Sequence, residues 1–161
     1  MLILNSGGTF NKRYNAKKGE LEVPYDNQAI DSILASTNFD FNIAGVVYKD
    51  SLEIDINDRK MLANIILESK EDTFVVVHGT DTIDETAEFF DAFFDDRKIV
   101  LVGAMKPFEI DKVESSFNLG MAIGFAKTKN DCGVYICMNG MVENWDKLKK
   151  NKQLGKFEIV R

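Results

Sequence analysis

Two prolines, two cysteines and a single histidine are found among 161 residues, and these scarcities exclude a good deal. With so little proline, no Pro-rich linker divides the chain, and the length suits one domain over 1–161 with a substantial core. Cys132 and Cys137, with only one histidine in the chain, cannot build a structural zinc site, so no metal is expected. They read as small buried thiols in a reducing compartment. No apolar run reaches the ~20 residues of a membrane-spanning helix, and Met1–Ser6 lacks the basic lead and apolar length of a signal peptide. The expectation is a cytoplasmic protein with no membrane partner. Twenty Lys+Arg against 26 Asp+Glu give a net charge of −6, the wrong sign for neutralising phosphates, so nucleic acid is excluded as a partner.

What the chain does have is hydrophobic residues (45%), gathered into five short runs: Leu2–Asn5, Ile43–Tyr48, Phe74–His78, Ile99–Val102 and Val134–Met138. They are rich in Val and Ile and mostly unbroken by polar residues, the pattern of strands covered on both faces. Between them, Asp26–Ala35, Asn57–Ser69, Asp84–Asp95 and Ser116–Lys127 carry apolar residues at helical spacing. A short helix near Val142–Lys150 and a final Phe157–Val160 stretch complete the reading. Strand and helix in alternation predict an α/β fold: a doubly wound, mainly parallel five-stranded sheet with helices on both faces, flavodoxin- or Rossmann-like. The polar Asn11–Glu22 stretch reads as a long loop, and loops of that length are usually functional. Twelve phenylalanines are many, and Phe89 or Phe93 is a candidate to face a partner subunit.

In such sheets ligands bind beyond the carboxyl ends of the strands. The residues there are Ser6-Gly7-Gly8-Thr9, Asp50-Ser51, His78-Gly79-Thr80-Asp81-Thr82, Gly103-Ala104-Met105-Lys106-Pro107 and Asn139-Gly140, with Lys147, Lys149 and Lys150 further on. Gly7-Gly8 permits a sharp turn whose free N–H groups suit an anion or oxyanion. It is neither a P-loop nor a dinucleotide-binding turn, since the required glycine spacing is missing. Thr82 and Glu85 match a capping box, leaving Thr80 and Asp81 in front of a helix. His78 ends a buried strand and reads as structural. One histidine in that place supports no Ser-His-Asp or Cys-His arrangement, so a threonine nucleophile needs another base, and a lysine beside Thr80 is the obvious candidate.

Gly7-Gly8-Thr9, His78-Gly79-Thr80-Asp81-Thr82 with Glu85-Thr86-Ala87, and Gly103-Ala104-Met105-Lys106-Pro107 resemble the signature segments of bacterial-type L-asparaginases, in the family's order. Asp50-Ser51-Leu52-Glu53 resembles the family's substrate-binding loop, with Leu52 where many members carry a polar residue. The likeness is to the N-terminal domain of the usual two-domain enzyme, in a short, single-domain form. It implies hydrolysis of L-asparagine to L-aspartate and ammonia, with no cofactor. It also implies roles: Thr9 as nucleophile, and Thr80 with Asp81 and Lys150 (Lys149 if one gap intervenes) as a relay. Asp81 and Ser51 would bind the amino-acid head, with Gly8, Asp50, Gly79 and Ala104 lining the substrate. Tyr14, or else Tyr25, would supply a hydroxyl from a mobile lid. A homo-oligomer, dimer or tetramer, is the implied assembly. The alternatives are hydrolysis of glutamine or another ω-amide, a non-catalytic sensor of aspartate or asparagine, and a nucleotide-binding module.

Overall fold

A computed structural model describes residues 1–128 and 131–160. Among these, five parallel strands form the centre: β1 (Leu2–Gly7), β4 (Asn42–Lys49), β5 (Thr73–Val77), β6 (Lys98–Val102) and β7 (Gly133–Met138). Two short strands, β2 (Arg13–Asn15) and β3 (Glu20–Glu22), pair as an antiparallel hairpin between the first two. The spatial order of the main sheet is β4-β1-β5-β6-β7-β8, where β8 (Met141–Asn144) runs antiparallel to β7. The parallel part has the flavodoxin-like order, with its crevice above β1 and β5, where the winding reverses.

The unbroken apolarity of β5 and β6 follows from burial on both faces, whereas the edge strand β4 is only half-buried. Leu4, Val76, Leu101 and Ile136 point into one core, with Leu62, Ile66, Ala87 and Phe90 from α2 (Ile56–Glu68) and α3 (Ile83–Asp91). Their neighbours Ile3, Val75, Val100 and Cys137 point into the other, with Ile30, Leu119, Ala122 and Ala126 from α1 (Gln28–Leu34) and α4 (Lys112–Ala126). Period-two alternation thus serves two cores rather than a core and solvent. Helix ends are capped by charge. Asp55 accepts from the amides of Asn57 and Asp58 at the start of α2, and the buried Lys98 donates to the carbonyl oxygens of Phe125 and Thr128 at the end of α4.

Four expectations require correction. The segment 141–150 is not helical: Asn139 and Gly140 both have positive φ (52° and 87°) and turn β7 straight back into β8, making the sheet six-stranded. Asn-Gly favours this two-residue hairpin because both central positions need left-handed backbone. The chain then forms a second hairpin, β9 (Leu148–Asn151) with β10 (Lys156–Ile159). Thr82 sits at the helix start but does not cap it. Its hydroxyl donates to Ser51 O at 2.7 Å, tying two loops together, while Glu85 turns to Arg59. Cys132 is exposed, and only Cys137 is the buried thiol, its pKa pushed up to about 12 by burial. The Asn11–Glu22 stretch is ordered as the β2–β3 hairpin, turned at Gly19. Phe90 on α3 and Phe94 just beyond its end are buried, whereas Phe93, also beyond the helix, is exposed and packs against Phe89.

Candidate functional site

The loops after β1, β4, β5 and β6 meet at one place. Gly8 follows β1 with φ 74° and lies so close to the loop after β5 that a methyl group on it would stand 2.3 Å from the amide nitrogen of Gly79. Only glycine combines that backbone with that approach. A methyl group on Gly79 would in turn meet Cβ and Oγ of Ser51 at 2.6 Å. Two Gly-Thr dipeptides, Gly8-Thr9 and Gly79-Thr80, are therefore packed backbone to backbone, and Ser51 closes the stack. The Ser51 hydroxyl accepts from the amide of Asp81 at 3.3 Å. From the β6 side, Gly103 packs against the methyl of Thr80, and Ala104 is fully buried.

A lysine from the far end of the chain completes the cluster. Lys150, on β9, donates to Thr80 Oγ1 and to Asp81 Oδ1, both at 2.8 Å. Thr80 is 3% exposed, and Lys150 is 14% exposed, so this contact lies largely out of water, where charge-assisted hydrogen bonds are strong. Lys149 points elsewhere, towards Asp84 and the ring of Trp145. Alternate residues of a strand face opposite sides, so only one of the two can reach Thr80.

Asp50 stands at the edge of the cluster. Its Oδ1 accepts from the amide of Leu52, and its Oδ2 pairs with Lys12 Nζ at 2.5 Å. Partial burial would raise the Asp50 pKa, but Lys12, the Leu52 amide and the more distant Lys150 outweigh it and hold the carboxyl below its ordinary value. Beside Asp50 opens a cavity of about 840 Å³ between the β2–β3 hairpin and the end of β4, lined among others by Lys12, Pro24, Tyr25 and Leu52. Tyr25 is thus on the cavity and Tyr14 is not. Tyr14 lines a separate depression on the hairpin, with its amide bonded to Glu109. Thr9, half-buried, begins the short 3-10 turn Thr9–Asn11, and its carbonyl accepts from the amide of Lys12.

Several residues that support the loops lie beneath the site, and of these Asn5, Asn11 and Glu114 have no such role in the sequence reading. Asn5 and Asn11 are buried beneath the glycine turn: Asn5 Oδ1 accepts from the Gly7 amide, and Asn11 Nδ2 donates to Gly7 O and Asn5 Oδ1. Glu114 receives the amides of Met105 and Lys106 and so fixes the loop after β6. Asn118 bridges Gly103 O and the amide of Asn139. A polar residue inside an apolar run, as Asn5 ends the first one, was the available signal, since buried polar groups need partners.

His78 lies fully buried under the site. Its Nδ1 faces Gly79 O, which can only accept, so Nδ1 carries the proton and Nε2 accepts from Thr86 Oγ1 at 2.9 Å. Burial lowers its pKa to about 4, helped by the nearby charge of Arg59 and opposed by the Gly79 carbonyl. A base with a depressed folded-state pKa stabilises least at low pH. Stability from this group is complete above pH ~6.5 and is lost as pH falls towards 4, by about 3 kcal/mol at ~1.4 kcal/mol per unit. As the only histidine, its imidazole gives a single NMR titration. The resonance is expected to stay neutral from pH 7.5 to 5, and a midpoint near 6.5 would contradict the buried, bonded ring.

A family model described as "Asparaginase, N-terminal" matches residues 1–155. The chain belongs to the asparaginase family. It is 33% identical over 154 residues to a probable periplasmic L-asparaginase of Haemophilus influenzae, covering 87% of this chain and 43% of that one. To a glutaminase-asparaginase of Acinetobacter glutaminasificans it is 27% identical over 156 residues, covering 88% and 46%. Among solved structures, the thermostable L-asparaginase from Thermococcus kodakarensis superposes with a TM-score of 0.84 at 22% identity, over 99% of this chain and 50% of that one. This asparaginase-family chain therefore spans less than half the length of these curated relatives. No helix among its described residues is long and apolar enough to cross a membrane.

Proposed function

We propose that the chain hydrolyses the side-chain amide of L-asparagine, giving L-aspartate and ammonia. The observation that carries this reading is Lys150 bonded to both Thr80 and Asp81, against the packed Gly8-Thr9 and Gly79-Thr80 backbones. In the reaction, Thr9 Oγ1 attacks the amide carbon, the C–N bond breaks, and ammonia leaves with the threonine's proton. The resulting ester is attacked by a water whose proton passes through the Thr80–Lys150–Asp81 relay to the departing Thr9 oxygen as the C–O bond to Thr9 breaks, so L-aspartate leaves and the threonine hydroxyl and the relay are restored. A hydroxyl needs such a partner because it is a weak nucleophile at neutral pH. The backbone at Thr80 and Ala104, beside the Gly8 turn, is suited to hold the amide and its oxyanion.

Asp81 has one oxygen taken by Lys150 and presents the other to the substrate's ammonium, with Ser51, Asp50, Gly8 and Gly79 around the head. Of the two lid hydroxyls, Tyr25 already lines the cavity, whereas Tyr14 enters only if the hairpin shifts. Support comes from relatives named L-asparaginase and glutaminase-asparaginase, the latter making glutamine the natural second substrate. The reading includes a cytoplasmic homodimer, with Phe93 as an exposed contact; a monomer by light scattering at micromolar concentration would contradict that assembly.

The test is ammonia release from L-asparagine and L-glutamine up to tens of millimolar, with aspartate or glutamate measured as the matching product. Stoichiometric ammonia and aspartate are expected, with asparagine preferred. Saturable binding of aspartate without ammonia release would instead identify an amino-acid receptor.

A further inference from the structure

A strained residue and a missing side chain in β4 belong together. Tyr48 has φ 54°, the left-handed region that a bulky residue rarely enters, and Gly45 is the strand's only glycine. Each explains the other. A methyl group on Gly45 would stand 1.5 Å from the hydroxyl oxygen of Tyr48, so the ring folds back over its own strand into the space the glycine leaves. Along the ladder Asn5 faces Gly45 and Gly7 faces Lys49, a step of two residues on β1 against four on β4, and Tyr48 lies in the resulting bulge. The bulged backbone meets the glycine turn after β1. A methyl group on Gly7 would stand 2.5 Å from Lys49 O and 2.9 Å from the carbonyl carbon of Tyr48, and the Gly8 amide donates to Lys49 O at 2.8 Å. The Tyr48 side chain reaches the same turn by a second route. Its hydroxyl donates to Asn27 Oδ1 at 3.3 Å, that oxygen accepts from Asn5 Nδ2 at 2.9 Å, and Asn5 Oδ1 accepts from the Gly7 amide at 3.0 Å. Burial and the charges of Asp26 and Asp31 push the Tyr48 pKa up, so the hydroxyl keeps the proton it donates. Asn27 stands at the N-cap position of α1, yet its side chain caps nothing there and turns to Asn5 and Tyr48 instead.

We infer that Tyr48 is a positioning residue for the nucleophile: it fixes the Gly7-Gly8 turn that carries Thr9, through its backbone at Lys49 and through its hydroxyl by way of Asn27 and Asn5. This rests on the amidohydrolase reading above, which makes Thr9 the nucleophile on that turn. Tyr48 touches no reacting atom. Its effect comes from where the turn stands, because a shift of about 1 Å at a reacting group costs on the order of 100-fold in rate. Both glycine amides are held, one by each route, so the turn is fixed without engaging the Thr9 side chain. A tyrosine in left-handed backbone persists only where its surroundings enforce it, and the bare flank of Gly45 lets them do so.

The experiment compares Tyr48→Asn, Tyr48→Phe and Gly45→Ala with wild type in the full chain. Asparagine tolerates left-handed backbone, so Tyr48→Asn keeps the bulge and removes the ring with its hydroxyl. Tyr48→Phe removes the hydroxyl alone, and Gly45→Ala leaves Tyr48 intact but fills its seat. The expected result is a fall in kcat for L-asparagine of about 10- to 100-fold in Tyr48→Asn and Gly45→Ala and about 3- to 10-fold in Tyr48→Phe, with KM within about threefold of wild type. A residue that only stabilises the fold would lower Tm and leave kcat of the folded enzyme unchanged, so a kcat within about twofold of wild type in Tyr48→Asn and Gly45→Ala overturns the inference. Tyr48→Phe, the mildest change, carries the same comparison if either of the others does not fold. Amide hydrogen exchange reads the link without turnover. In Tyr48→Asn the Gly7 amide should exchange about tenfold faster or more, with the amides of Val76 and Leu101 at the centre of the sheet unchanged. Unchanged Gly7 exchange, or equal acceleration of all three amides, overturns the inference whatever the activity. If wild type releases no ammonia from asparagine or glutamine, the hydrolase reading itself fails, and the exchange data still decide whether Tyr48 holds the turn.

Discussion

Thr9→Ala is expected to abolish ammonia release from L-asparagine, with kcat reduced about 10⁴-fold or more, because loss of the proposed nucleophile removes a covalent route that the rest of the site cannot replace. Binding should survive. Thr9 opens a 3-10 turn whose contacts to Lys12 run through its backbone, and Lys150, Thr80 and Asp81 hold one another without it. L-aspartate should therefore bind Thr9→Ala within a few-fold of wild type, and Thr9→Ser should keep measurable turnover. Activity of Thr9→Ala within tenfold of wild type would move the nucleophile to Thr80, the second hydroxyl of the packed pair. The informative measurement is single-turnover ammonia release, which separates formation of the ester from its hydrolysis.

Lys150→Met is the second large effect, a fall of about 10²–10⁴-fold in kcat, the range of a lost proton-transfer partner. Its ammonium is bonded to Thr80 Oγ1 and Asp81 Oδ1, so methionine deprives the hydroxyl of its partner and leaves the carboxylate without its counter-charge. KM should change much less than kcat, since Asp81 retains its charge for the substrate's ammonium. Lys149→Met is the natural comparison, because Lys149 addresses Asp84 and Trp145 and should alter kcat less than threefold. Equal losses at the two lysines would mean that the β9–β10 hairpin matters as a surface and not through one amine.

How much of this was legible in the sequence depended on what each residue has to do. The central parallel strands announced themselves because burial on both faces leaves no polar residue within a run such as Phe74–Val77, and the half-buried edge strand β4 still carries the apolar Ile43–Val47. The segment after Asn139-Gly140 was misread as a helix, although that dipeptide is a strong hairpin signal. Its half-buried strands lack an unbroken apolar run, and Trp145 and Leu148 fit either periodicity. At the site, short motifs pointed to Thr9, Thr80 and Asp81, and counting pointed to Lys150, which the structure brings against Thr80 and Asp81. Lys12, Asn5 and Glu114 were silent. Each acts through a contact to a group distant in sequence or through a turn's backbone, and no local pattern of residue types encodes such a contact. The same holds for Thr82, whose capping signature was correct in letters but whose hydroxyl found Ser51 O instead.

The proposed relay joins Thr80 and Asp81, in the loop after β5, to Lys150 on β9, some 70 residues further along, and serves Thr9 at the start of the chain. On a ribosome making about 5–20 residues per second, Lys150 is added roughly 7–30 s after Thr9. During that interval the emerging chain already holds both glycine turns and most of its sheet, yet Thr80 has no amine and Asp81 no counter-ion. On the proposed mechanism, chemistry begins only when β9 folds back onto the sheet, so the appearance of activity during synthesis would serve as a clock for the docking of that strand.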